Sequence, residues 1–92
     1  MITSTATYMP SSGVLCRELD GEMVLLDIES ATYFSLNDTG TRVWRLLESR
    51  ATIEQVCATI AGEDAIPQEQ MLSELIPFIE ELLDTGLIRA AA

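Results

Sequence analysis

The side chains in this chain that could support catalysis are two cysteines and one pair of closely spaced carboxylates. Cys16 and Cys57 lie far apart in the sequence, and Asp27 and Glu29 fall where a turn is predicted. The chain contains no histidine and no lysine, so neither thiol has an evident basic partner to form the reactive thiolate. Turns commonly carry solvated carboxylates. We therefore predict that the chain is not an enzyme and has no catalytic residues.

Metal and cofactor sites are not predicted either. The cysteines form no CxxC pair and no histidine completes a ligand set. Gly40 lies in a polar segment that lacks the repeated glycines and the lysine of a phosphate-binding loop. Both cysteines are interpreted as small buried hydrophobic residues in a reducing cytoplasm. A disulfide between them is left undecided.

Length and composition indicate how many domains the chain forms and which classes of partner it binds. The 92 residues are 48% hydrophobic, which suits one domain with one modest core. Fifteen acidic residues against five arginines give a net charge of −10, which opposes binding to nucleic acid. No apolar run approaches the roughly 20 residues that span a bilayer, and the N-terminus lacks the features of a secretory signal. We expect a cytoplasmic protein without a membrane partner. Its acidity is explained equally well by solubility and by a basic partner.

Three strands are predicted in the first half of the chain, at Val14–Leu19, 22–28 and Thr32–Leu36. Asp20 and Gly21 fit a tight hairpin turn, so the strands should form an antiparallel meander. Residues 1–12 are rich in serine and threonine and are predicted to be a flexible tail. An extra edge strand around residues 6–9 is the alternative. The single domain is then expected to span 13–90.

Three helices are predicted in the second half. Asn37 or Asp38 caps a helix over 38–49, and a capping box from Thr52 to Gln55 starts a second helix. Gly62 should end this second helix. The third extends from Pro67 to Asp84, and Pro77 should kink or split it. The predicted fold is therefore α+β and similar to a winged helix-turn-helix, with a three-stranded antiparallel sheet followed by three helices.

The third helix has an unusually wide apolar side. Its apolar residues cover an arc of about 160°, whereas a surface helix needs about 100°. Either two protein surfaces cover this arc or part of it binds a ligand, and the sequence leaves both open. The arc contains Met71, Leu72, Leu75, Ile76, Phe78, Ile79, Leu82 and Leu83.

A winged helix suggests DNA binding, but the charge of the third helix argues against it. Residues 67–86, which would include a recognition helix, carry acidic residues and no arginine or lysine. An acidic winged-helix domain for protein interaction or regulation remains an alternative. An exposed third strand would instead suit peptide capture, because its unpaired N–H and C=O groups can accept an added strand.

Several segments resemble the PqqD-like proteins, small domains that bind leader peptides of ribosomally made, post-translationally modified peptides. They are Leu25-Leu26-Asp27, Tyr33-Phe34-Ser35-Leu36-Asn37, Thr39-Gly40 and Val43-Trp44-Arg45-Leu46-Leu47. The sequence from Tyr33 to Leu47 resembles the members from lasso-peptide biosynthesis more than the protein of pyrroloquinoline quinone synthesis. The resemblance implies a non-catalytic module that presents a precursor peptide to a leader peptidase. A chaperone for a radical SAM peptide-modifying enzyme is the alternative.

The resemblance also implies that the leader lies between the third strand and the third helix. Whether Tyr33 or Phe34 faces this groove is open, and Trp44 is expected in the core or at its rim. An unoccupied apolar groove is able to pair two copies, so a homodimer at high concentration is compatible with this interpretation. The implied peptide-binding residues are Thr32, Tyr33, Phe34, Ser35, Leu36, Leu72, Leu75, Ile76, Ile79 and Leu83.

Overall fold

The structure is a computed structural model that describes residues 2–91. Its strands are β1 (Tyr8–Pro10), β2 (Val14–Leu19), β3 (Glu22–Asp27), β4 (Thr32–Leu36) and β5 (Ile88–Ala90). Its helices are α1 (Asp38–Glu48), α2 (Ile53–Asp64) and α3 (Gln68–Asp84). Over the described part of the chain, every helix is too short or too polar to cross a membrane.

The main sheet is an antiparallel meander in the order β2-β3-β4. Asp20 and Gly21 both have positive φ angles, 53° and 82°, as expected for the tight hairpin between β2 and β3. Between β3 and β4, the carboxylate of Asp27 accepts hydrogen bonds from the backbone of Glu29 (3.2 Å) and the hydroxyl of Ser30 (3.0 Å). The predicted α+β fold, a three-stranded antiparallel sheet followed by three helices, is confirmed.

A second sheet joins the two ends of the chain. β1 pairs with β5 in antiparallel register, with Tyr8 opposite Ala90 and Pro10 opposite Ile88. Tyr8 is only 6% exposed and belongs to the core. The prediction of a flexible tail over 1–12 is therefore wrong for β1, and the alternative of an extra strand is closer. The structured part of the domain begins before residue 13 because burial of Tyr8 and pairing with β5 order this segment.

The predicted caps at the starts of α1 and α2 are confirmed, but the predicted end of α2 is not. Asn37 caps α1 by accepting the Gly40 N–H at 2.8 Å, and both bonds of the predicted capping box are present at α2. The prediction that Gly62 ends α2 is wrong. The helix continues to Asp64 and ends at Ala65, which adopts the left-handed conformation (φ 55°). There the Ala65 N–H donates to the Ala61 carbonyl, and alanine takes the left-handed position that glycine most often occupies.

α3 is one helix through Pro77, so it is not split there. The proline is exposed, and its helix is held by the buried side chains of Met71, Leu75, Ile79 and Leu82. Burial of this face offsets the loss of one backbone hydrogen bond.

The core lies between the main sheet and the helices. Trp44 is fully buried, as expected, and α1 packs against β1, β3 and β4. α3 packs mainly on α2 and β5. The buried apolar residues are Tyr8, Met23, Leu25, Leu36, Val43, Trp44, Leu47, Ile53, Val56, Cys57, Ile60, Ala61, Met71, Leu75, Ile79, Leu82, Leu87 and Ile88.

The two cysteines have different environments. Both are free thiols; Cys57 is buried as predicted, whereas Cys16 is exposed. The prediction of burial is wrong for Cys16 because β2 is an edge strand of the main sheet. Its thiol lies 3.7 Å from a carboxylate oxygen of Glu48. Partial burial, and then the charge of Glu48, raise the pKa of this thiol, which makes it a poor nucleophile.

Candidate functional site

β4 forms an open edge of the main sheet. One of its edges pairs with β3, and within residues 2–91 no strand pairs with the other. Phe34 and Leu36 lie opposite Leu25 and Met23, which are buried, so these β4 side chains face the helices. Tyr33 faces the opposite side of the sheet and is 70% exposed. Phe34, rather than Tyr33, therefore lies on the helix side.

A cavity of about 550 Å³ opens between the end of β4, the start of α1 and the first half of α3. We call it the β4–α3 cavity. It is open to solvent, and α3 forms the wall opposite the strand. Its lining residues are Ser35, Leu36, Asn37, Thr39, Gly40, Val43, Asp64, Ile66, Gln70, Met71, Glu74, Leu75 and Phe78.

The shape of the β4–α3 cavity follows from how the helices pack. α1 supports the sheet directly, while α3 is held by α2 and β5, which leaves space between β4 and α3. Gly40 of α1 leaves room for the Phe78 ring of α3. A Cβ at position 40 would lie 3.3 Å from the Phe78 ring and 3.2 Å from Asn37 Oδ1, which is closer than ordinary contact. A side chain there would therefore push Phe78 into the cavity.

The structure brings together only some of the residues that the resemblance implied. Ser35, Leu36 and Leu75 line the β4–α3 cavity, and Thr32, Tyr33 and Phe34 lie along the same open strand. Leu36 (7% exposed) and Leu75 (1%) are also core residues.

The remaining implied residues of α3 lie elsewhere. Ile79 is fully buried in the core, and Ile76 and Leu83 are half-buried against it without lining the cavity. Leu72 lines a smaller cavity of about 220 Å³ beside Cys57. Because successive helical residues are about 100° apart, Ile76 and Phe78 lie about 160° apart around α3. The apolar arc thus has two flanks, and only the flank of Phe78 faces β4.

Four α3 residues of the cavity wall were missed from the sequence. Met71 and Phe78 belong to the apolar arc but were not assigned to the groove, Glu74 lies on the polar side of the helix, and Gln70 was given no role. Gln70, Glu74 and Phe78 recur at i, i+4 and i+8, which places them along one face. This spacing was the available signal.

A charged cluster adjoins the cavity at Asp64. Arg42 of α1 contacts Glu63 and Asp64 at 3.0 Å each and Asp38 at 3.3 Å. The hydrogen bonds that Arg42 donates to Asp64 hold the pKa of the Asp64 carboxyl below its usual value. The bonds that Arg42 donates to Asp64 and Glu63 also raise the pKa of Arg42 itself. These bonds tie the start of α1 to the end of α2. Arg42 therefore neutralises Asp64 at the cavity wall.

Glu74 differs from Asp64 because it keeps an available charge. Its side chain is exposed and makes no hydrogen bond or ion pair within the described residues. The cavity thus combines apolar and polar lining in similar amounts with a free carboxylate at its rim. Among residues 2–91, no cluster of three potential metal ligands exists. An open strand edge beside such a cavity is suited to hold an extended peptide.

Comparison with known proteins identifies the family and agrees with the fold. The sequence profile of the family "Coenzyme PQQ synthesis protein D (PqqD)" matches residues 22–88. The solved structure "TbiB1 in Complex with the TbiA(beta) Leader Peptide" is 30% identical, with a TM-score of 0.85 over 91% of this chain and 98% of that chain. "Lasso peptide synthetase B1 complexed with the leader peptide" shares the fold at 21% identity, with a TM-score of 0.85 over 91% of this chain and 99% of that chain. No curated protein matches significantly. The match to the family profile covers most of the chain, which therefore belongs to the PqqD family.

Proposed function

We propose that this domain binds the leader peptide of a ribosomally made precursor peptide and presents it to a separate processing enzyme. The observation that carries the proposal is the open edge of β4 beside the β4–α3 cavity. An extended peptide added to this edge would satisfy the free N–H and C=O groups of the strand. Its side chains on the helix side would enter the cavity. The domain itself performs no chemistry in this proposal.

The known complexes support a leader as the ligand. TbiB1 was solved with the TbiA(beta) leader peptide, and this chain covers nearly all of that structure. The sequence Tyr33–Asn37 and Trp44 favour the lasso-peptide branch of the family. In that branch the partner enzyme is a leader peptidase in the cytoplasm. A radical SAM peptide-modifying enzyme is the alternative partner.

The proposed contacts differ in part from those implied by the sequence. Thr32–Leu36 supplies the strand edge, and Leu75, Met71 and Phe78 supply the opposite wall. Ile79 supports this wall from within the core. Leu72, Ile76 and Leu83 lie on the other flank of α3 and are left out of the proposed site.

The test is a titration of the fluorescein-labelled leader from the precursor peptide encoded beside this chain's gene, followed by fluorescence anisotropy. We expect saturable binding with a Kd below about 100 µM, which corresponds to about −5.5 kcal/mol. Single N-methyl groups along the leader backbone should weaken binding at every second residue, because only alternate N–H groups point at β4.

Proline substitutions in Thr32–Leu36 provide the test from the side of the protein. Proline at a residue whose N–H points away from β3 should weaken peptide binding, because it removes a donor on the open edge. Thermal unfolding should stay cooperative, because β3 does not use that N–H. Absence of saturable binding would contradict the proposal. Binding that tolerates every N-methyl group would contradict strand addition.

A further inference from the structure

The β4–α3 cavity has a composition that selects among side chains. Val43, Ile66, Met71 and Phe78 line it with apolar surface, and the free carboxylate of Glu74 stands at its rim. Its volume of about 550 Å³ falls within the roughly 300–1,000 Å³ of small-ligand sites. One long side chain of a bound peptide therefore fits inside with its stem against apolar groups.

The charge around the cavity is negative. Three carboxylates share the single guanidinium of Arg42, and Glu74 adds a fourth carboxylate without a partner among the described residues. Only Asp64 and Glu74 of these carboxylates line the cavity. Because Arg42 offsets Asp64, the wall keeps one uncompensated negative charge, and the chain has no lysine to reduce it. An acidic side chain would be repelled, whereas a cation would gain an ion pair.

The position of the cavity determines which part of a peptide reaches it. Ser35 and Leu36 line it at the end of β4, so a strand added to the edge passes directly beside the opening. Alternate side chains of that strand point to the helix side. Lysine and arginine can lay an apolar stem on Phe78 while their charged head stays near water at Glu74.

We propose that the β4–α3 cavity selects a lysine or arginine of the bound peptide, whose stem packs on Phe78 and whose cation pairs with Glu74. The inference rests on the proposed function and names the side chain that this site prefers. Asp64 does not compete for the cation, because Arg42 donates to both of its carboxylate oxygens at 3.0 Å.

Selection from a display library of random 16-residue peptides tests the inference without knowledge of the natural leader. Performed at physiological salt, it should enrich lysine or arginine at one position, at an even spacing from apolar positions. The enriched peptide and a version with methionine at the cationic position are then titrated against the wild type, Glu74→Gln and Glu80→Gln. Glu80 is the matched control, because it is exposed on the same helix about 120° away from Glu74.

Methionine should weaken binding roughly three- to fivefold on the wild type and on Glu80→Gln, but less than about twofold on Glu74→Gln. Equal losses on all three proteins, or enrichment without a cation, would overturn the inference. If such peptides still respond to proline in β4, the proposed function survives. If no peptide binds, both fail. Thermal unfolding of each variant confirms that its fold is intact.

Discussion

Replacement of Ile79 by alanine tests whether this residue of α3 acts in the core or in peptide binding. Ile79 is fully buried in the structure, although the family resemblance implied that it contacts the peptide. The change removes three carbons from a site without solvent, which costs about 3 kcal/mol within the usual range of 2–5. A domain of this size has roughly 5–14 kcal/mol of stability. At about 4–8 °C per kcal/mol, Tm should fall by about 12–24 °C.

The assay pairs thermal unfolding by circular dichroism with peptide titration at a temperature where the variant is folded. The matched control is Ile76→Ala, which changes the same residue type on the same helix at a half-buried position. It should lower Tm by less than half as much. Both variants should keep peptide affinity within about twofold, because neither side chain lines the cavity. An unchanged Tm for Ile79→Ala together with lost affinity would refute the burial argument.

Two further predictions concern the charged groups. Because Arg42 lowers the pKa of Asp64, their pairing stabilises the fold above the ordinary pKa of 3.8 and is lost as pH falls through the lower folded value. Arg42→Gln should therefore raise the Asp64 pKa in an NMR titration and weaken the acid dependence of stability; an unchanged pKa would contradict the pairing. Glu48→Gln should lower the pKa of Cys16 and speed its alkylation by iodoacetamide at pH 8, as followed by mass spectrometry. Equal rates would show that Glu48 does not act on the thiol.

Elements with local signals were predictable from the sequence. The Asp20-Gly21 hairpin, the Asn37 cap and the capping box at Thr52 each depend on residues within a few positions of one another. β1 has no such local signal, which is why an extra strand around residues 6–9 was only the alternative prediction. Its partner β5 lies at the other end of the chain, and three-residue strands have too little pattern of their own.

Of the two sides of the candidate site, the sequence predicted the strand edge but not the wall on α3. The open edge follows from the strand order of a meander, so β4 was identified from sequence. The wall on α3 was not, because helical periodicity gives the width of an apolar arc but not the orientation of its two flanks. Packing of α3 on α2 and β5 turns Phe78 towards β4. That choice depends on contacts between distant parts of the chain.

The net negative charge of the chain helps to protect its open strand edge from pairing with a second copy. An unpaired edge invites pairing with a second copy, which proteins prevent with charge or short strands. β4 has only five residues, and every copy carries a net charge of −10. Two copies therefore repel one another as they approach, most strongly at low salt. The same field attracts a peptide that carries lysine or arginine. Net charge thus opposes the homodimer suggested by the apolar groove and favours the basic ligand that the rim of the cavity is suited to bind.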